Sequence, residues 1–243
     1  MAVDTVLFDL DDTLFDHRYA RLAALRTVRA LYPKLSQVPL GHLDRTSERI
    51  LTEVHLSLVL TGKLSLEESR RVRMSRFLAE FGVRIGPAAT RRLLRLRQEA
   101  YRSHRRPVPG ALTLLRHLQR SGRSIVVVSN NLRSEQVEKL RVTGLAPWVN
   151  LLVCSEQVGV TKPDPRIFYA ALSGAGATPD QAVMVGDSWE SDVVGAVRAG
   201  IRPVWFHRDD AARPSAPPAG ELHDLRPVAR AAAVILGRPR PPP

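Results

Sequence analysis

Three carboxylates, Asp9, Asp11 and Asp12, crowd into four positions directly after the apolar, strand-prone run Val6-Leu7-Phe8. Like charges this close repel, and a bound metal ion relieves the repulsion. Asp9 and Asp11 are two apart, so where strand geometry persists both project to the same side, just beyond the strand's carboxyl end. Two carboxylates then face one substrate. Taken alone, the triplet serves equally well to end a strand, because Asp-rich turns commonly follow apolar runs.

Five further polar residues stand at comparable places. Ser129 and Asn130 follow the apolar run Ile125-Val126-Val127-Val128, Lys162 lies in a loop before Pro163, and Asp187 follows Gly186 after a fourth apolar run, with Asp192 five residues on. Each has an ordinary structural use: Ser129 and Asp187 as helix caps, Lys162 as a solvated loop lysine. Placed beyond the carboxyl ends of strands in one parallel sheet, they instead converge on the edge where such sheets bind ligands.

The elements needed for that convergence are legible in the hydrophobic periods. Between Asp16 and Pro107 the pattern is helical throughout. Leu22, Leu25, Val28 and Leu31 mark a helix from about Ala20 to Tyr32, ended by Pro33. A second runs from about Leu43 to Leu60 with Gly62 as its stop, and a third opens on Ser65 with Glu68 as a capping box. A fourth runs from Pro87 to about Arg105, where Arg91, Arg95 and Arg102 read as a solvated face. From Gly110 onward strands and helices alternate, as in a parallel sheet with crossover helices. Strands are expected at Ser124–Val128, Val149–Cys154, Gln181–Val185 and Pro203–His207, with intervening helices at 110–120, 134–142, 164–172 and 191–199. A flexible linker is expected from Arg208 to Gly220, then a last helix from Leu225 to Leu236.

Composition narrows the class. With 44% hydrophobic residues the chain fills a sizeable core. The first strand begins almost at Met1, and no apolar stretch is long enough to span a bilayer, so a cytoplasmic protein without membrane contact is expected. Cys154 is the single cysteine and reads as a small buried hydrophobe. The formal charge of +12 comes almost entirely from arginine, since Lys34, Lys63, Lys139 and Lys162 are the only lysines. That skew is what a GC-rich coding sequence produces. Without a helix-turn-helix, zinc-finger or aromatic-basic strand pattern, it does not favour a nucleic-acid partner.

Taken together, Asp9-x-Asp11-x-Thr13, Ser129 after an apolar strand, Lys162-Pro163, and Gly186-Asp187 with Asp192 resemble the four motifs of the haloacid dehalogenase superfamily, helical-cap phosphatase type. The resemblance covers almost the whole chain. It implies an α/β fold: a Rossmann-like parallel sheet core with helices on both faces, residues 1–15 and 108–243, and an inserted all-helical cap, residues 16–107. It further implies a magnesium-dependent phosphatase acting on a small phosphorylated metabolite, of nucleotide, sugar phosphate or phosphoglycolate type, as monomer or homodimer.

The residue types suit that reaction. A phosphate monoester is an anion resisting an anionic nucleophile, so a site must neutralise it while presenting an in-line attacker. The resemblance makes Asp9 the nucleophile, passing through an aspartyl-phosphate. Asp11 becomes the acid and then the base, with a pKa raised by Asp9 and by cap closure. Magnesium falls to Asp9, the Asp11 carbonyl and Asp187, with Asp192 as support or additional ligand. Ser129 and the Asn130 amide bind phosphate oxygens, and Lys162 offsets the charge. His17, Arg18 and Tyr19 are the insert residues nearest the nucleophile in sequence. Alternatives are a phosphomutase, a 2-haloacid dehalogenase, or a non-catalytic module that binds anions or nucleic acid. A halide leaving group needs no proton, so Asp11 argues for phosphoryl chemistry.

Overall fold

Short apolar runs with no polar alternation make strands that are covered on both faces. The computed structural model describes residues 3–54, 58, 63–208 and 220–237. Within them β1 (Thr5–Phe8), β2 (Ser124–Ser129), β3 (Leu151–Cys154), β4 (Ala182–Gly186), β5 (Arg202–Phe206) and β6 (Glu221–Leu222) form one sheet in the order β3-β2-β1-β4-β5-β6. Every pairing is parallel. The chain steps outward from β1 to β3, then returns to β4 and steps outward on the other side. That reversal creates a switch point between β1 and β4, where open α/β sheets bind ligands. Phe8 lies opposite Val185, so Asp9 and Asp187 leave the sheet from neighbouring strands.

The chain divides into two compact units, residues 1–16 with 106–243, and residues 17–105. The second unit is built from α1 (His17–Ala30), α2 (Pro33–Ser36), α3 (Leu40–Val54), α4 (Leu66–Glu80) and α5 (Pro87–Ser103). Its own core includes Leu25, Val28, Leu43, Ile50, Phe77, Leu78 and Leu93. Arg21 is buried among them and forks onto Asp44, Nε to Oδ1 at 2.9 Å and Nη2 to Oδ2 at 3.1 Å, so the buried charge is matched. The Ser65 capping box forms as expected, with Glu68 N donating to Ser65 Oγ and Ser65 N to Glu68 Oε2. Pro33 does not end the first helix; α1 stops at Ala30 and Pro33 opens α2, where its missing N–H leaves nothing unsatisfied. The second helix starts at Leu40, and its expected end at Leu60 and Gly62 lies outside the described residues. His17 Nδ1 is 2.9 Å from the Tyr101 hydroxyl, Tyr19 packs on His104, and Arg91, Arg95 and Arg102 are exposed.

In the first unit α6 (Ala111–Arg120), α7 (Arg133–Val142), α8 (Ser155–Val158), α9 (Pro165–Ala175), α10 (Gly195–Arg198) and α11 (Val228–Leu236) accompany the sheet. Asp164 caps α9 through Arg166 N, with Pro165 at its first position. The single helix expected over 191–199 is instead a π-helical stretch, Trp189–Val194, followed by α10. The Ser188 carbonyl takes both Asp192 N and Val193 N, at 2.9 and 3.3 Å, which widens the turn and buries Asp192. The strand β6 was not expected, because two residues carry no period. The last helix starts at Val228, after Pro227, rather than at Leu225. The expected linker falls on residues 209–219, outside the described residues.

The two crossings between the units lie side by side within the first unit. Asp16 N donates to Arg106 O at 3.0 Å, and Val108 N to Leu14 O at 2.8 Å. Asp16 is buried and receives Arg106 on one oxygen and Arg208 on the other, at 2.9 and 2.8 Å. Among the described residues no helix is long and apolar enough to cross a membrane.

Candidate active site

The sheet's carboxyl edge is shaped first by the turn after β1. Asp9 N still bonds to Val185 O at 2.9 Å, but Leu10 O then accepts Leu14 N and Phe15 N at 3.0 and 2.8 Å, closing a tight loop. Asp12 sits at φ 64°, a left-handed conformation that a short Asp side chain tolerates. Strand alternation therefore does not govern Asp11, contrary to the simplest reading of the spacing. Asp9 is buried, while the Asp11 side chain keeps about a quarter of its surface exposed.

Lys162 meets Asp9 from the loop after β3. The Asn130 side chain clamps that loop to β2, its Nδ2 donating to Lys162 O at 2.9 Å and its Oδ1 accepting Lys162 N at 2.6 Å. The clamped lysine spends all three ammonium protons, on Asp9 Oδ1 at 2.6 Å, Asp192 Oδ1 at 2.7 Å and Val128 O at 2.9 Å. Burial works against its charge, yet Asp192 and Asp9 outweigh burial and push its pKa up. Burial likewise raises Asp9, to about 7, with Lys162 opposing and Asp192 and Asp11 adding to the rise.

Asp187 leaves β4 beside Asp9. Burial, then the charges of Asp9, Asp192 and Asp12, hold its carboxyl well above the ordinary value. Thr13 Oγ1 reaches its Oδ1 at 3.4 Å, and the Trp205 indole N–H donates to its backbone carbonyl at 2.9 Å. Asp9, Asp187 and Asp192 each bring an oxygen within 4.8 Å of the other two. Two buried carboxylates and the half-buried Asp187 against one ammonium leave negative charge uncompensated, and an all-oxygen set suits a hard divalent cation. Both oxygens of Asp192 are already engaged, by Lys162 and by Ser188 N at 3.0 Å, so this residue orients the lysine. Gly186 makes room for it: a Cβ there would lie 2.3 Å from the Asp192 carboxyl carbon.

On the other side of Asp9, α7 supplies two residues that sequence reasoning missed. Lys139 is buried and sits on Asp11, Nζ to Oδ1 at 2.6 Å and to Oδ2 at 2.7 Å. Gln136 Nε2 donates to Asp11 Oδ2 at 3.0 Å and to the buried hydroxyl of Ser129. An ammonium on both oxygens favours the carboxylate anion, which works against the expectation of a neutral Asp11. The signal was available: Gln136 and Lys139 are three apart on the helix that follows Ser129, hence on one face of it.

Residues 3–200 match the family model described as haloacid dehalogenase-like hydrolase. The chain is 39% identical over 151 residues to phosphoserine phosphatase of Thermus thermophilus, a match that spans 60% of either protein. It is 30% identical over 211 residues to glyceraldehyde 3-phosphate phosphatase of Methanopyrus kandleri, covering 85% of this chain and 84% of that one. Its fold is similar to the crystal structure of a 2-haloacid dehalogenase from Pseudomonas syringae, with 28% identity, a TM-score of 0.61, and coverage of 95% and 98%. The parallel sheet, the acidic loop at its switch point and a family match over residues 3–200 together make this chain a member of the haloacid dehalogenase-like hydrolase family.

Proposed function

We propose that this hydrolase is a magnesium-dependent phosphatase of small phosphorylated metabolites, with Asp9 as nucleophile and Asp11 as the proton carrier. The observation that supports it most is the pair of acids with separate partners: Asp9 on Lys162, Asp11 on Lys139. One carboxylate is held for attack and the other for proton transfer. In this reading an Asp9 oxygen attacks phosphorus in line, the P–O bond to the leaving group breaks, and the departing oxygen takes a proton from Asp11, which must enter this step protonated against the pull of Lys139. Water then attacks the aspartyl-phosphate, Asp11 takes its proton, and inorganic phosphate leaves. The Lys139-paired anion suits this second step directly. Ser129 and the Asn130 amide are proposed to bind the phosphoryl oxygens, and the Lys162 ammonium, held on Asp9, to offset the charge there. Asp9 and Asp187, with the Asp11 carbonyl, would hold magnesium, which would neutralise charge on the transferring group.

The names of the two phosphatase relatives support phosphate monoesters as the substrate class, and the likeness to a dehalogenase supports the competing reaction. Asp11 favours the former, since halide departure requires no acid. Within this reading the helical unit, residues 17–105, is the cap that sets the choice of leaving group, because the core residues address only the phosphoryl group.

The test is turnover across a panel of phosphate monoesters and 2-haloacids, with magnesium and with chelator. Phosphate release that needs magnesium and disappears in Asp9→Asn, with the fold intact by circular dichroism, is the expected result. Halide release that persists in chelator would replace the assignment with the dehalogenase one.

A further inference from the structure

A second set of ligating side chains lies at the other end of the sheet order, where β5 meets β6. Trp205 pairs with Glu221 and Phe206 with Leu222, and His207 N donates to Leu222 O at 2.9 Å, so the register continues to set His207 beside His223. Side chains alternate along a strand, which brings Trp205, His207, Glu221 and His223 to one face.

The geometry there is specific. His207 Nε2 is 2.6 Å from Glu221 Oε1, and His223 Nε2 is 3.6 Å from the same oxygen. Each of the three residues offers a ligand atom within 4.8 Å of the other two. His223 Nδ1 is 3.2 Å from the His207 carbonyl, which only accepts, so Nδ1 carries the proton. Nε2 of the same ring faces Glu221. Metal-binding histidines are held in this way, the far nitrogen donating to a carbonyl while the near one faces the ion. The His207 ring is fixed in turn by stacking on Trp205, with centroids 3.8 Å apart.

We propose that His207, Glu221 and His223 form a binding site for a transition-metal cation of the zinc class, with donors distinct from the carboxylates around Asp9. Two imidazoles and one carboxylate are a zinc donor set that leaves a fourth position open. Magnesium, which takes oxygen ligands, does not compete well for it. A proton shared by His207 and Glu221 accounts for two of the three residues. His223 is largely exposed, and its Nε2 is directed at the same carboxylate oxygen, so the three donors converge on one point.

The experiment is equilibrium dialysis of the full chain against zinc in excess magnesium, alongside cobalt titration followed by visible absorption. Wild type should bind a single zinc, and cobalt should show d–d bands of an imidazole-containing site. His223→Gln, at an exposed position that leaves the core untouched, should weaken zinc at least about tenfold and remove those bands. Glu221→Gln should weaken it as well, and Asp187→Asn should leave it unchanged. No zinc bound by wild type, wild-type affinity in both His223→Gln and Glu221→Gln, or loss of zinc in Asp187→Asn would each overturn the site. None of these readouts depends on the enzyme's activity.

Discussion

Lys139 places its ammonium 2.6 Å from one carboxylate oxygen of Asp11 and 2.7 Å from the other, bridging α7 to the loop after β1. A bidentate contact of this kind fixes the direction of the carboxylate as well as its charge. Lys139→Met should therefore impair proton transfer more than binding. For an alkyl phosphate, whose leaving group needs a proton, kcat should fall by about a hundredfold with KM little changed, the scale of a misplaced acid. An aryl phosphate should lose much less. Steady-state kinetics on the two substrates separate these effects, and equal losses would remove Lys139 from proton transfer.

Lys162 is the corresponding partner of Asp9, and it is fully engaged and buried. Lys162→Met removes the cation and leaves Asp9 and Asp192 facing each other in a dry environment. Breaking a buried ion pair from one side typically costs about 3–5 kcal/mol. The variant should be inactive and should unfold at markedly lower denaturant. Partial recovery of stability in the double variant Lys162→Met with Asp192→Asn is expected, because the second change removes one stranded charge. Urea unfolding of the two variants measures the coupling.

Much of this site could be read from the residues in order, and the reasons are physical. Asp9, Ser129 and Asp187 each follow a buried apolar run, and that run announces both the strand and its carboxyl end. Ser65 with Glu68, and Asp164 with Pro165, name helix starts through backbone donors that must be satisfied. What stayed hidden depends on tertiary pairing. Lys139 and Gln136 lie inside a helix of weak amphipathicity, and only the approach of α7 to the β1 loop reveals them as partners of Asp11. The turn at Asp12 overrides strand alternation through hydrogen bonds to Leu10 O that no local pattern encodes. β6 and the π-helical stretch around Asp192 are too short, or too irregular, to leave a period.

Gly186 tests whether Asp192 must hold its present place. A Cβ at this position would meet the Asp192 carboxylate at 2.3 Å, inside any tolerable contact; the crowded oxygen, Oδ2, holds Ser188 N, and Oδ1 of the same carboxylate holds Lys162. Gly186→Ala should lower stability by about 1–3 kcal/mol, the usual range for overpacking. It should also raise the magnesium concentration needed for half-maximal turnover, because the lysine and the acidic cluster shift together. Thermal unfolding and a magnesium titration of activity check the two parts. An unchanged magnesium requirement would mean that Asp192 does not organise the cluster.

Cys154 closes the edge strand β3, and its burial reports on the integrity of that edge. Burial pushes the thiol up to about 11, ahead of smaller opposing influences from Arg133 and Lys139. The thiolate is the reactive form, so at pH 8 roughly one molecule in a thousand carries it, three units below the pKa. Native protein should thus react with an aromatic disulfide reagent far more slowly at pH 8 than an unfolded cysteine does. The rate should climb as pH approaches 11, and in denaturant the single thiol should react at once. Lys139→Met should not accelerate the reaction, since removing a nearby cation raises the thiol's pKa further. Rapid native labelling at pH 8, measured by absorbance of the released thiolate, would show that β3 opens to solvent.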